Sequence, residues 1–209
     1  MLEKTVIFTS PRSGSKFLRS SLNNHPNVFI ENEFFRKDVP KTQGYLSVEK
    51  LFYNNIIDDK IREYDRVGFV WCGHFDSDIR QEEVKRLIIL ERKNKLEQFV
   101  SYKIAEKKGV WKGVESTEKI TVDLDEYREF LNKVDLTYRY MRKSRKGSYH
   151  NVWYEGLRDN FRETVESIYD YLEINKEVPK EGDTIRQEKR PLRDIILNYN
   201  DVKIYDRTT

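Results

Sequence analysis

The chain has 209 residues, 37% of them apolar, 13% aromatic and 36% charged, with charges that nearly cancel to +3. That length suits one domain spanning residues 1–209, with a core leaning on Phe, Tyr and Trp as well as aliphatic side chains. The charge balance argues against a dedicated nucleic-acid binder, yet it permits a local basic site for an anionic ligand. Cys72 is the only cysteine, so no internal disulfide can form and a reducing compartment is the default. Without a long apolar stretch for a signal peptide or a membrane span, the sequence reads as a cytoplasmic protein.

Thr5 to Thr9 is short, apolar and β-branched, the pattern of a buried strand. A turn rich in Ser, Pro and Gly follows, and then a predicted helix from about Ser15 to Asn24. Phe17, Leu18 and Leu22 share one face of it, and His25-Pro26 stops it. Val28 to Ile30, Val67 to Trp71, Leu87 to Leu90 and Tyr149 to Tyr154 read as further strands, while Phe34 to Arg66 is mixed loop and helix. Helices are expected over Leu96–Lys107, Asp123–Ser144 and Asn160–Leu172, each with an apolar stripe. Strands alternating with helices predict a three-layer α/β/α architecture around a mainly parallel sheet. Ligands of such sheets bind beyond the carboxyl ends of the strands, which brings the loops after Phe8, Ile30 and Leu90 around one crevice.

The first of these loops has the makings of an anion site. A strand, a Gly-containing turn and a helix start present unpaired amides from about Gly14 to Phe17, and the helix dipole favours negative charge there. Arg12, Ser13, Ser15 and Lys16 add side-chain donors. The plainer alternative is that Gly14 only makes the turn and Ser15 only caps the helix. Two cations within five residues after a buried strand tip the balance toward anion binding. The pattern is not a Walker A loop, since Phe17 rather than Ser or Thr follows Lys16 and no Mg²⁺ ligand stands there.

The run Thr9-Ser10-Pro11-Arg12-Ser13-Gly14-Ser15-Lys16-Phe17-Leu18, continuing to Leu22 and His25-Pro26, resembles the 5′-phosphosulfate motif of sulfotransferases. These enzymes use 3′-phosphoadenosine 5′-phosphosulfate (PAPS). The likeness is greatest to the bacterial carbohydrate type and to tyrosylprotein sulfotransferases. It implies a P-loop NTPase-like sulfotransferase fold, with Arg12 on the sulfuryl group and Ser13, Gly14, Ser15, Lys16 and Phe17 around the cofactor. Lys16 departs from the family pattern, which usually has Thr or Ser there.

Glu33, within Glu31-Asn32-Glu33-Phe34-Phe35, resembles the family's catalytic glutamate by its distance from Arg12. A carboxylate between aromatics suits a general base for the acceptor hydroxyl. His74 is the runner-up base. Arg92 and Ser101, within Leu90 to Tyr102, resemble the family's 3′-phosphate segment, with Lys93 able to share the Arg92 role. The segment continues through Ala105 to Gly109-Val110-Trp111, as in the bacterial enzymes. Val152 to Leu157 resembles the family's strand ending in Tyr-Glu-x-Leu. Arg186 to Asp194 resembles its C-terminal closing segment, in which Arg186, Lys189 or Arg190 could reach a phosphate. The basic run Arg139 to Lys146 reads as the solvated end of a helix.

The resemblance thus implies sulfuryl transfer from PAPS to a hydroxyl acceptor, a carbohydrate, small molecule or peptide, without a metal. Phe35, Tyr45 and Trp111 offer stacking surfaces for a sugar or a phenol. Two rival readings stay open on the sequence: a P-loop phosphotransferase, and a protein that binds adenosine 3′,5′-bisphosphate without catalysis.

Overall fold

The computed structural model describes residues 3–31, 64–73, 84–109, 111, 117–145, 147–182 and 190–206. Glu33, His74, Phe35, Tyr45, Arg186 and Lys189 lie outside the described residues.

Among the described residues, five strands form one parallel sheet: β1 (Glu3–Thr9), β2 (Val28–Glu31), β3 (Arg66–Cys72), β4 (Arg86–Glu91) and β5 (His150–Trp153). Their spatial order is β2-β3-β1-β4-β5, with β1 at the centre. The helices are α1 (Ser15–Leu22), α2 (Lys95–Lys108), α3 (Leu124–Ser144), α4 (Tyr154–Asp159), α5 (Phe161–Leu172), α6 (Leu192–Ile195) and α7 (Tyr199–Val202).

Alternation along β1 explains the layers. Ile7 faces Leu18 and Leu22 of α1 and Val165, Ile168 and Leu172 of α5. Val6 and Phe8 face the other way, onto Val134, Tyr138 and Met141 of α3. With both faces covered, the strands read as continuous apolar runs, the signature of a buried parallel sheet. Full burial of each such Leu or Ile stabilises the fold by roughly 1.5–3 kcal/mol. A third cluster joins Leu96, Phe99 and Val100 of α2 to Ile120, Val122, Tyr127, Leu192, Ile195 and Val202. It anchors the C-terminal segment beside α2.

The elements follow the sequence pattern with two instructive differences. The first helix ends at Leu22 rather than Asn24, because Asn23 is recruited by β2. Its side chain donates to Ile30 O at 2.9 Å and accepts from Ile30 N at 2.7 Å. The last strand ends at Trp153, and Tyr154 opens α4, a helix the periodicity does not announce. The reason lies elsewhere in the chain. The Glu155 carboxylate accepts from the amides of Lys93 and Asn94 at 2.9–3.0 Å, which turns the chain at this point.

Asn94 caps α2 by accepting from Glu97 N at 3.0 Å, and its Nδ2 donates to buried Asp206 at 2.9 Å. One side chain thus fixes the helix start and ties down the C-terminal segment. Asn94→Ala is expected to destabilise the fold by about 1–2 kcal/mol, read as a lower urea midpoint with unchanged slope. An unchanged midpoint would show that the cap is dispensable.

Candidate anion-binding site

The carboxyl ends of β1, β3 and β4 are level, with Thr9 beside Cys72 on one flank and Leu90 on the other. The loop leaving β1 therefore emerges at the centre of the crevice. Two residues in it have left-handed backbone, Arg12 (φ 63) and Gly14 (φ 92). Left-handed conformation suits Gly14 but is uncommon for an arginine. It is held from below by Arg92, whose Nη1 donates to Arg12 O at 3.1 Å.

Above the loop, three sequence-predicted groups converge. Arg12 Nε donates to Ser101 Oγ at 2.9 Å, and Arg12 Nη1 donates to Trp111 O at 3.2 Å. Lys16 Nζ donates to the same carbonyl at 3.0 Å. Lys16 therefore points toward Arg12 and not away from the loop. Two cations meeting on one backbone oxygen make a concentrated positive site at a helix start. Gly14 is the N-cap residue of α1 and brings no side chain of its own to the helix start.

The remaining predicted residues divide. Ser13 is fully buried and its hydroxyl turns inward, toward Ser10, Gln98 and Tyr138. Only its backbone is left to face a ligand. Ser15 starts α1, and Phe17 packs on Phe161 with ring centroids 5.7 Å apart. Arg92 is buried, pairs with Glu97 at 2.5 Å, and stacks over the Tyr154 ring at 4.4 Å. Its Nη1 holds Arg12 O and its Nη2 meets Glu97. Lys93 next to it is exposed, with its ammonium 5.4 Å from the Trp153 ring centre.

The basic run after Arg139 is less uniformly solvated than the sequence suggests. Arg142 bonds Glu91 at the end of β4, and Arg145 donates to Val84 O at 2.6 Å and Lys85 O at 3.1 Å. Arg190 likewise donates to Glu118 O at 3.0 Å. Lys95 lies over Tyr138, and burial pushes its ammonium down from the usual lysine range, against the opposing pull of Glu91 and Glu155. Gln98, Tyr138 and Tyr154 also lie against the loop; Gln98 and Tyr154 fall within the family-like stretches Leu90 to Tyr102 and Val152 to Leu157, which gave them no role, and nothing in the sequence assigns Tyr138 there. Tyr138 sits on the apolar stripe of α3, where its spacing marks it as core and conceals the use of its hydroxyl.

Among the described residues no cluster of His, Cys, Asp and Glu could hold a metal ion, and no helix is long and apolar enough to cross a membrane.

No family model matches the sequence, and no curated protein matches it. Solved structures do match its fold. A sulfotransferase from Alicyclobacillus acidocaldarius superposes with a TM-score of 0.54 at 15% identity, covering 85% of this chain and 84% of that one. A mouse sulfotransferase complexed with PAP gives a TM-score of 0.55 at 13% identity, covering 84% of this chain and 59% of that one. The sulfotransferase domain of the Synechococcus PCC 7002 olefin synthase gives 0.51 at 16% identity, covering 85% and 74%. Five parallel strands between helical layers, with a glycine loop at the central strand's carboxyl end, thus give this chain the sulfotransferase fold.

Proposed function

We propose that the chain transfers a sulfuryl group from PAPS to a hydroxyl acceptor. The observation that carries the reading is the convergence of Arg12, Lys16 and Ser101 over the amides that open α1. That arrangement suits a dianionic phosphosulfate bridge better than a nucleoside triphosphate, whose Mg²⁺ would want a hydroxyl where Phe17 stands. In this reading the α1 amides and Lys16 hold the 5′-phosphate. Arg12 neutralises charge on the bridging oxygen and the sulfuryl group. Ser101, whose hydroxyl proton remains to be donated, and exposed Lys93 receive the 3′-phosphate, while Arg92 holds the loop. The PAP named with the mouse structure is the desulfated form expected to occupy the same crevice.

The acceptor oxygen attacks sulfur in line as the bond from sulfur to the bridging phosphate oxygen breaks. The acceptor proton passes to Glu33, and adenosine 3′,5′-bisphosphate departs. Trp111, 43% exposed and edge-on to Tyr102 at 5.6 Å, offers the acceptor an aromatic wall beside Arg12.

The deciding experiment is transfer of labelled sulfate from PAPS to a pool of glycans, lipids, peptides and phenols, run with wild type and with Glu33→Gln. Wild type should move label. The variant should bind adenosine 3′,5′-bisphosphate normally while transfer falls about 10²–10⁴-fold. Undiminished transfer by Glu33→Gln would remove the base assignment. Binding of the bisphosphate with no transfer by wild type would leave a nucleotide-binding protein without catalysis.

A further inference from the structure

Beneath the anion loop lies a buried set of polar groups with no part in the chemistry described so far. Tyr138 is 2% exposed, and Gln98, Ser13 and Ser10 are comparably buried. The Tyr138 hydroxyl donates to Leu90 O at 2.7 Å and accepts from Ser10 N at 2.9 Å. Ser10 Oγ lies 3.0 Å from that hydroxyl and 3.0 Å from Ser13 Oγ. Gln98 Nε2 lies 2.7 Å from Pro11 O, 2.8 Å from Ser10 Oγ and 3.0 Å from Ser13 Oγ.

The protons in this set can be placed by elimination. Leu90 O and Pro11 O are carbonyls and only accept, so the single Tyr138 proton goes to the first and one Gln98 N–H to the second. The same argument fixes the Gln98 amide, because a flip would set its oxygen against Pro11 O. With the Tyr138 proton committed, the serine hydroxyls must donate toward it. Two orders satisfy every donor: from Gln98 to Ser13, Ser10, Tyr138 and Leu90 O, or the same with Ser10 before Ser13, whose hydroxyl lies 3.4 Å from that of Tyr138. Burial pushes the Tyr138 phenol up from its usual range, so its proton stays in place.

We infer that Gln98 and Tyr138 are positioning residues that set the shape of the loop and hold Arg12 where it meets the sulfuryl group. The chain of bonds ties three elements to three loop residues, Ser10, Pro11 and Ser13, which flank Arg12. Gln98 comes from α2, Tyr138 from α3, and Leu90 from the strand beside β1. Gln98 stands one helical turn before Ser101, which takes the Arg12 guanidinium from above. One helix therefore grips the loop from both sides. Loss of Tyr138 strands the Ser10 donors, and loss of Gln98 takes away the donor to Pro11 O, so either change leaves a buried polar group short of its partner and makes the neighbours move. A displacement of about 1 Å in a reacting group costs on the order of 10²-fold in rate.

The inference rests on the sulfotransferase reading, and its test separates the two. Tyr138→Phe and Gln98→Met keep the volume and remove the bonds. In both, kcat should fall 10-fold or more while KM for PAPS and the dissociation constant for adenosine 3′,5′-bisphosphate change less than about 3-fold, because the bisphosphate lacks the group that Arg12 meets. Hydrogen exchange at the Ser10 amide, which Tyr138 accepts, should speed up at least 10-fold in Tyr138→Phe. A lower melting temperature with kcat unchanged in either variant would overturn the inference, since the pair would then be only structural. If wild type neither binds the bisphosphate nor transfers sulfate, the functional reading fails. Ser10 exchange then still decides whether the pair shapes the loop: unchanged exchange in Tyr138→Phe overturns it, and faster exchange upholds it. Should Gln98→Met fail to fold, Tyr138→Phe alone carries the same readings.

Discussion

Arg12→Ala should lower sulfuryl transfer about 10²–10³-fold while binding of adenosine 3′,5′-bisphosphate weakens only a few-fold. The rate figure is that for removing one preorganised donor from a transition-state oxygen. The asymmetry follows from where Arg12 sits. Its guanidinium is held beside Lys16 and Ser101, over the end of the loop that a sulfuryl group would occupy, while the bisphosphate retains the α1 amides and Lys16. Arg12→Lys keeps the charge but loses the Nε donor to Ser101 and the planar fork, so an intermediate loss is expected. Backbone strain must be separated from chemistry, because position 12 has a φ of 63. Arg12→Gly relaxes that strain and should unfold at higher urea than Arg12→Ala, although both lose the guanidinium. Should Arg12→Ala keep kcat within about 3-fold of wild type, Arg12 would have no part in the transfer step, and the loop would be an anion site only.

The sheet was legible because its strands are buried on both faces. Val6-Ile7-Phe8 and Leu87-Ile88-Ile89-Leu90 need no alternation when helices cover both sides, and short apolar runs then stand out. The loop was legible for a similar reason, since Gly14 and two cations after such a run leave few other uses. Side-chain direction was not. Nothing near Ser13 in sequence reveals that Tyr138, 125 residues away, lies beside its hydroxyl. Arg92 gives no sign in the sequence that Glu97 and Tyr154 pack around it. Each of those partners is set by how α2, α3 and α4 pack, which a one-dimensional pattern does not encode. Tyr138 was hidden further, because its spacing marked it as core, and Gln98 stood in a family-like stretch with no role attached to it. The position of Glu33 lies outside the described residues, so its role rests on resemblance and on the variant test above.

Gly14→Ala should destabilise the protein by about 2–5 kcal/mol and weaken bisphosphate binding 10-fold or more. Two costs add. A φ of 92 belongs to glycine, and an L side chain there is strained by about 1–2 kcal/mol. The new Cβ would also lie 2.5 Å from Cδ2 and 3.1 Å from Cε2 of Tyr154, an overpacking cost of about 1–3 kcal/mol. Tyr154 cannot simply turn aside, because Arg92 stacks on its ring at 4.4 Å and the same arginine holds Arg12 O at 3.1 Å. Pushing the ring therefore moves Arg92, and moving Arg92 releases the left-handed Arg12, which is how a methyl group reaches the anion site. The contact can be isolated by a double-mutant cycle with Tyr154→Ala, measured by urea unfolding. Removing the ring should relieve the clash but not the backbone strain, so the pair should be non-additive by about 1 kcal/mol or more. Strict additivity would mean that Tyr154 does not cover Gly14, and the route from that ring through Arg92 to the loop would fall with it.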